Sequence, residues 1–100
     1  MRGIMQDWPL TVDKVAEHAR VVHGHREVIT RSVEGPIVKT TYAEIYTRSK
    51  QVSSALLHHG IEFGDRVATL AWNTARHIET WYGAMGIGTV LHTVNPRLFP

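Results

Sequence analysis

Apolar positions along this chain recur with two different periods, and the switches between those periods mark its elements. Between Thr11 and Val22, Val12, Val15, Ala16, Ala19 and Val22 form one stripe at helical spacing, with Thr11 as the expected N-cap and Pro9 just outside. The polar stretch His23-Gly24-His25 ends that helix. Arg26–Ser32 and Ile37–Thr40 are rich in β-branched residues and flank Glu34-Gly35-Pro36, which is turn chemistry, so a β-hairpin is expected there. Thr41 and Glu44 have the three-residue spacing of a capping box and open a second helix, whose apolar face runs Tyr42, Ile45, Tyr46, Ser49, Val52, Leu56. Gly60 follows His58-His59 as a C-terminal cap, and Ile61 stands where a Schellman motif takes an apolar contact.

The last third reads as strand, helix, strand. Arg66–Trp72 is a short apolar run opened by the turn pair Gly64-Asp65. Asn73-Thr74 supplies helix-starting chemistry, and Ile78, Trp81, Tyr82 and Met85 follow at i, i+3, i+4 and i+7. Gly86 and Gly88 end that pattern, and Thr89–Val94 is a second β-rich run closed by Asn95-Pro96. Two strands joined by a helix of this length lie parallel through a right-handed crossover, in a sheet covered on both faces. The expected fold class is therefore α/β: a partial mixed sheet, with a β-hairpin and a β-α-β unit flanked by helices. Because so little chain follows the second strand, residues 1–100 are expected to form one incomplete domain of a larger sheet, with no second domain.

Composition narrows the function classes. With 43% hydrophobic and 20% charged residues, the chain is too apolar for a disordered tail. The formal net charge is +2, and the 11 Lys and Arg are scattered from Arg2 to Arg97 without a basic block, so no nucleic-acid partner is expected. There is no cysteine, which removes disulfides and thiol chemistry and agrees with a reducing cytoplasm. No segment has the apolar length of a membrane span, and the N-terminal ten residues lack a signal-peptide core.

Candidate chemistry fares poorly on spacing. Seven histidines invite a metal reading at His23-x-His25 and His58-His59, but no HExxH pair or thiolate completes a set, and adjacent helical histidines point about 100° apart. Gly86-Ile87-Gly88 closes a helix and precedes a strand, the reverse of a phosphate-binding loop, and no GxxxxGK[ST] or GxSxG motif is present. The nine carboxylates are spread along the chain without a close pair for acid–base work. Asp65 is expected in the turn before its strand, and Glu79 on the polar side of its helix beside Arg76.

The run GDRVATLAWNTARHIETWYGAMGIGTVLHTVNPRLF, with MQDWPL, HREVITRSVEGPIVKTTYAEI and QVSSALLHHGIEFGDRVA before it in the same order, resembles the N-terminal part of the adenylate-forming acyl-CoA synthetases. The resemblance is to the branch acting on medium- and long-chain fatty acids and methylthiopropionate, and it covers essentially the whole chain. It implies the start of a large N-terminal domain in a parent that uses ATP, Mg2+ and CoA on a carboxylic acid substrate. It also implies a cytoplasmic enzyme that forms homodimers through that domain. The family's Ser/Thr/Gly-rich nucleotide loop and its adenylation lysine lie later in the chain, so no catalytic, cofactor-binding or metal-binding residue is carried over, and these 100 residues are expected to be inactive alone. The alternative is a free-standing α/β module acting through protein contacts.

Within this frame, Asn73, His77 and Trp81 are the candidate site residues. Asn73 ends a strand run where parallel sheets place their sites, and His77 and Trp81 share a helix face. The functional reading sets them beside an acyl chain or at a subunit contact. The packing reading, which weighs more, makes Asn73 the helix cap, Trp81 a core residue and His77 a partly buried neighbour.

Overall fold

A computed structural model of the chain describes residues 3–98, and the closing Phe99-Pro100 pair lies outside the described residues. The elements run α1 (Val12–His23), β1 (Glu27–Arg31), β2 (Ile37–Thr41), α2 (Tyr42–His58), β3 (Arg66–Leu70), α3 (Ala75–Met85) and β4 (Val90–Val94), the order expected from the sequence. β1 and β2 pair antiparallel from Glu27 opposite Thr41 to Arg31 opposite Ile37. β3 and β4 pair parallel from Arg66 opposite Val90 to Leu70 opposite Val94. The two pairs are separate two-stranded sheets. No helix among the described residues is long and apolar enough to cross a membrane.

Local chemistry explains where the helices begin and end. At α2 the capping box is complete: the Glu44 amide donates to Thr41 Oγ1 at 3.2 Å, and the Thr41 amide donates to Glu44 Oε2 at 2.9 Å. Its C-terminus closes as a Schellman motif, with the Ile61 amide on the Leu56 carbonyl and the Gly60 amide on the Leu57 carbonyl, both at 3.1 Å. Gly60 has φ +88°, a left-handed conformation that glycine adopts without a Cβ penalty. α1 begins after Thr11, but the Thr11 side chain makes no cap bond. α3 corrects the expectation that Asn73 is the cap. Thr74 is the N-cap, its hydroxyl accepting from the His77 amide at 3.3 Å, and Asn73 is left exposed.

A second hydroxyl serves the same helix end from a distance. Thr30 of β1 is buried, and its Oγ1 accepts from the Ala75 amide at 3.0 Å. This bond joins the hairpin to α3, so one of the orphan amides of the first helical turn is satisfied by another sheet.

The packing centre lies between α2 and α3. Gly83 is the point of closest approach: a Cβ there would stand 2.7 Å from the Val52 Cβ and 2.8 Å from the Ser49 carbonyl oxygen. Ser53 Oγ donates to the Gly83 carbonyl at 2.6 Å across the same contact. Ile45 and Ala84 are buried beside it, and Thr89 Oγ1 donates to the Ala84 carbonyl at 2.7 Å to hold the start of β4. The outer face of the parallel pair is bare, with Leu70 70% and Val90 53% exposed and Ala68 and His92 also open. A parallel sheet is covered on both faces when complete, so this side needs further structure.

Gly83→Ala is expected to cost about 1–3 kcal/mol in urea unfolding, as overpacking at a closed contact does. Adding Val52→Ala should restore only part of it, because the Ser49 carbonyl stays in the way; full restoration would place the clash at Val52 alone.

Candidate functional site

At the C-terminal ends of β3 and β4 a cavity of about 310 Å3 opens, and it brings the three candidate residues together: Asn73, His77 and Trp81 line it, with Trp72, Val94 and Arg97. Each arrives by a different route. Asn73 follows the end of β3, His77 and Trp81 stand one turn apart on α3, and Arg97 leaves β4 on a turn in which its amide donates to Asn95 Oδ1 at 2.9 Å. The Arg97 guanidinium stacks over the Trp72 ring at 5.3 Å, a cation–π contact between two exposed side chains.

His77 is only 6% exposed. Its Nε2 lies 2.8 Å from Thr69 Oγ1 on β3, and its ring meets Trp81 edge to face at 5.3 Å and 70°. The Thr69 hydroxyl has no other acceptor among the described residues, so both groups are best satisfied when it donates to Nε2. That assignment puts the ring proton on Nδ1. Nδ1 of His77 and Nε1 of Trp81 are both buried without a hydrogen-bond partner among the described residues. An unpaired buried donor costs about 1–3 kcal/mol. Trp81 is half-buried rather than a core residue, and His77 is more deeply buried than expected.

A second cluster escaped sequence reasoning. Glu79, expected on the polar side of α3, is 4% exposed, and its Oε1 accepts from Arg48 Nε of α2 at 2.8 Å. The pair borders a larger cavity of about 620 Å3 between the hairpin, α2 and α3, lined also by Val38, Thr40, Ala43 and Ala75. A signal was present: Ala75, Glu79 and Gly83 recur every four residues on one face. The partner, 31 residues away on α2, was not visible in the spacing. Arg76, the neighbour expected for Glu79, is exposed.

The remaining candidates do not converge. Gly88 has φ +80°, and the Phe63 ring takes the place of its missing Cβ, so this glycine serves packing. Asp65 sits in the turn before β3, where its Oδ2 accepts from the Glu62 amide at 2.8 Å. Among the described residues no three His or carboxylate side chains gather to hold a metal ion. The groups with displaced ionisation lie on α1: the hydrogen bond from Arg20 chiefly holds the Glu17 carboxyl below its usual range, and Thr11 does so for Asp13.

Comparison with known proteins identifies what this arrangement belongs to. The profile of the AMP-binding enzyme family matches residues 15–100. The chain is 41% identical over 100 residues to a 3-methylmercaptopropionyl-CoA ligase of Ruegeria lacuscaerulensis, covering all of this chain and 19% of that protein. It is 43% identical over 96 residues to a long-chain-fatty-acid–CoA ligase of Thermus thermophilus, covering 96% of this chain and 18% of that one. A solved structure from Rhodopseudomonas palustris, described as a long-chain-fatty-acid CoA ligase, superposes with a TM-score of 0.74 at 31% identity, covering 90% of this chain and 22% of its own. The chain thus spans about a fifth of the length of the curated relatives it matches.

Thr69→Val is expected to cost about 1–2 kcal/mol of stability and to release the His77 tautomer, read as loss of a single Nδ1–H species in imidazole 15N spectra. Arg48→Met should cost more than Glu79→Gln, by about 1–2 kcal/mol, because it strands a buried carboxylate rather than neutralising it. Equal losses in thermal unfolding would show that the pair contributes nothing through charge.

Proposed function

We propose a function from one premise: this chain belongs to the AMP-binding enzyme family. Its parent is an ATP-dependent carboxylic acid–CoA ligase that converts a fatty acid or 3-methylthiopropionate, with ATP and CoA, to the acyl-CoA, AMP and diphosphate. The observation that carries this reading is the match along the entire chain to ligases named for both substrate types, at 41% and 43% identity. Residues 1–100 are the opening segment of the parent's N-terminal domain. The parent works in the cytoplasm, uses Mg2+ with its ATP and forms a homodimer.

The residues described here divide the labour in a particular way. The Phe63 ring takes the place of the missing Cβ at Gly88, and no metal-ligand set gathers among the described residues. On this reading ATP and CoA are held by the rest of the parent. Its contribution is a rigid α2–α3 pair carrying a parallel strand pair, with Asn73, His77 and Trp81 at the strand ends, beside the acyl chain or at the subunit contact.

Purified 100-residue chain is expected to give no ATP–diphosphate exchange with any fatty acid, while the full-length parent should form acyl-CoA from butanoate to dodecanoate or from 3-methylthiopropionate. A parent inactive on all of these acids would overturn the reading. In that parent, Trp81→Ala should raise KM for the acid about tenfold with KM for ATP unchanged if the cluster borders the acyl chain, the worth of one buried aromatic contact. A shift to monomer in sedimentation, with KM unchanged, would assign it to the subunit contact instead.

A further inference from the structure

We infer that β4 is a self-pairing edge: two copies of this chain join antiparallel along Val90–Val94, about a two-fold axis at His92, into one sheet of order β3-β4-β4-β3. The edge is defined by the backbone. The β3–β4 register and the Val90 amide on the Asp65 carbonyl, at 2.8 Å, turn the backbone groups of Val90, His92 and Val94 toward β3. Alternation along the strand then turns the amides and carbonyls of Leu91 and Thr93 the other way. No strand among the described residues pairs on that side, and Thr93 is exposed.

Charge selects the strand, and symmetry selects the partner. Charged side chains guard the other strands against pairing: Glu27 and Arg31 on β1, Lys39 on β2 and Arg66 on β3. β4, Val-Leu-His-Thr-Val, carries no Lys, Arg, Asp or Glu. Laid antiparallel on itself about His92, it sets Val90 opposite Val94 and Leu91 opposite Thr93, pairs that stabilise a sheet. Leu91 and Thr93 exchange both backbone bonds, and His92 meets its copy at the closer, non-hydrogen-bonded position, about 4.5 Å between Cα atoms. Other registers fit worse. An axis at Leu91 sets Thr93 against Thr89, whose amide is already on the Ala84 carbonyl. An axis at Thr93 sets Leu91 against Asn95, whose carbonyl already accepts from the Leu98 amide. The two-fold uses both β4 edges, so the assembly closes as a dimer.

The pairing belongs to the 100-residue chain and does not rest on the ligase reading of its parent. Sedimentation velocity from about 10 to 500 µM should show a monomer–dimer equilibrium with a dissociation constant on the order of 100 µM, the range of a small transient contact. Thr93→Pro removes an amide that only the partner uses, a change that an edge strand tolerates, and should abolish the dimer over that range. His92→Lys should weaken it about fivefold, as like charges set opposite each other do. The chain has no cysteine, so introduced cysteines report the register without background. His92→Cys should give a disulfide-linked dimer under mild oxidation, since the Cα separation there suits a disulfide. Val90→Cys should cross-link to Val94→Cys and poorly to itself. A chain that stays monomeric across the range overturns the inference. So do species larger than a dimer, which join β4 to β3 of the next copy, and cross-linking of Val90→Cys alone as fast as of His92→Cys. Leu91 and Thr93 amides already protected from exchange in the monomer also overturn it, because another segment then covers the edge.

Discussion

Everything in this structure hangs on the close approach of α2 and α3 at Gly83. The contact admits no Cβ, it is crossed by the Ser53–Gly83 hydrogen bond, and it sets the distance at which Arg48 reaches Glu79. α3 in turn carries the parallel pair through two hydroxyls, Thr69 on His77 and Thr89 on the Ala84 carbonyl, and carries the hairpin through Thr30. Small side chains and hydroxyls make these joints. Large apolar side chains do not: among the described residues the buried apolar ones are Ile45, Ala75 and Ala84, and no large side chain is fully enclosed. Specific hydrogen bonds position such an assembly, but burial this modest supplies little of the free energy that offsets chain entropy.

This balance explains how the sequence could be read and where the reading failed. Elements governed by local chemistry were legible: the Thr41–Glu44 box, the Gly60 cap, the hairpin turn and the parallel pairing expected of a strand–helix–strand unit. What failed depends on partners distant in the chain. Asn73 has the side chain of a good cap, yet Thr74 takes the position with the help of Thr30, 45 residues from Ala75. Glu79 is a charged residue in a helix, which by composition belongs outside, and only the Arg48 guanidinium across the interface makes its burial tolerable.

The candidate site was legible as a group and misread in its members. Strand ends and helix spacing were enough to put Asn73, His77 and Trp81 around one cavity. They could not reveal Arg97 stacked on Trp72, which depends on the register of β3 against β4, or the Thr69 hydroxyl behind His77, which depends on how α3 packs on β3. A one-residue slip of β4 in that register would turn its side chains to the opposite face and carry Arg97 away from Trp72. The geometry of the site is therefore a consequence of sheet pairing, and the pairing is held at its start by the Val90 amide on the Asp65 carbonyl and the Gly64 amide on the Gly88 carbonyl.

The unevenness of burial across the β3–β4 sheet also bears on what the segment does within its parent. Its α3 side is finished, with Thr69 and His77 buried and bonded, whereas Ala68, Leu70, Val90 and His92 lie open on the other side. An exposed apolar face on a two-stranded parallel sheet favours association, and both of its edges offer unpaired backbone groups. The open face therefore calls for apolar cover from a large surface.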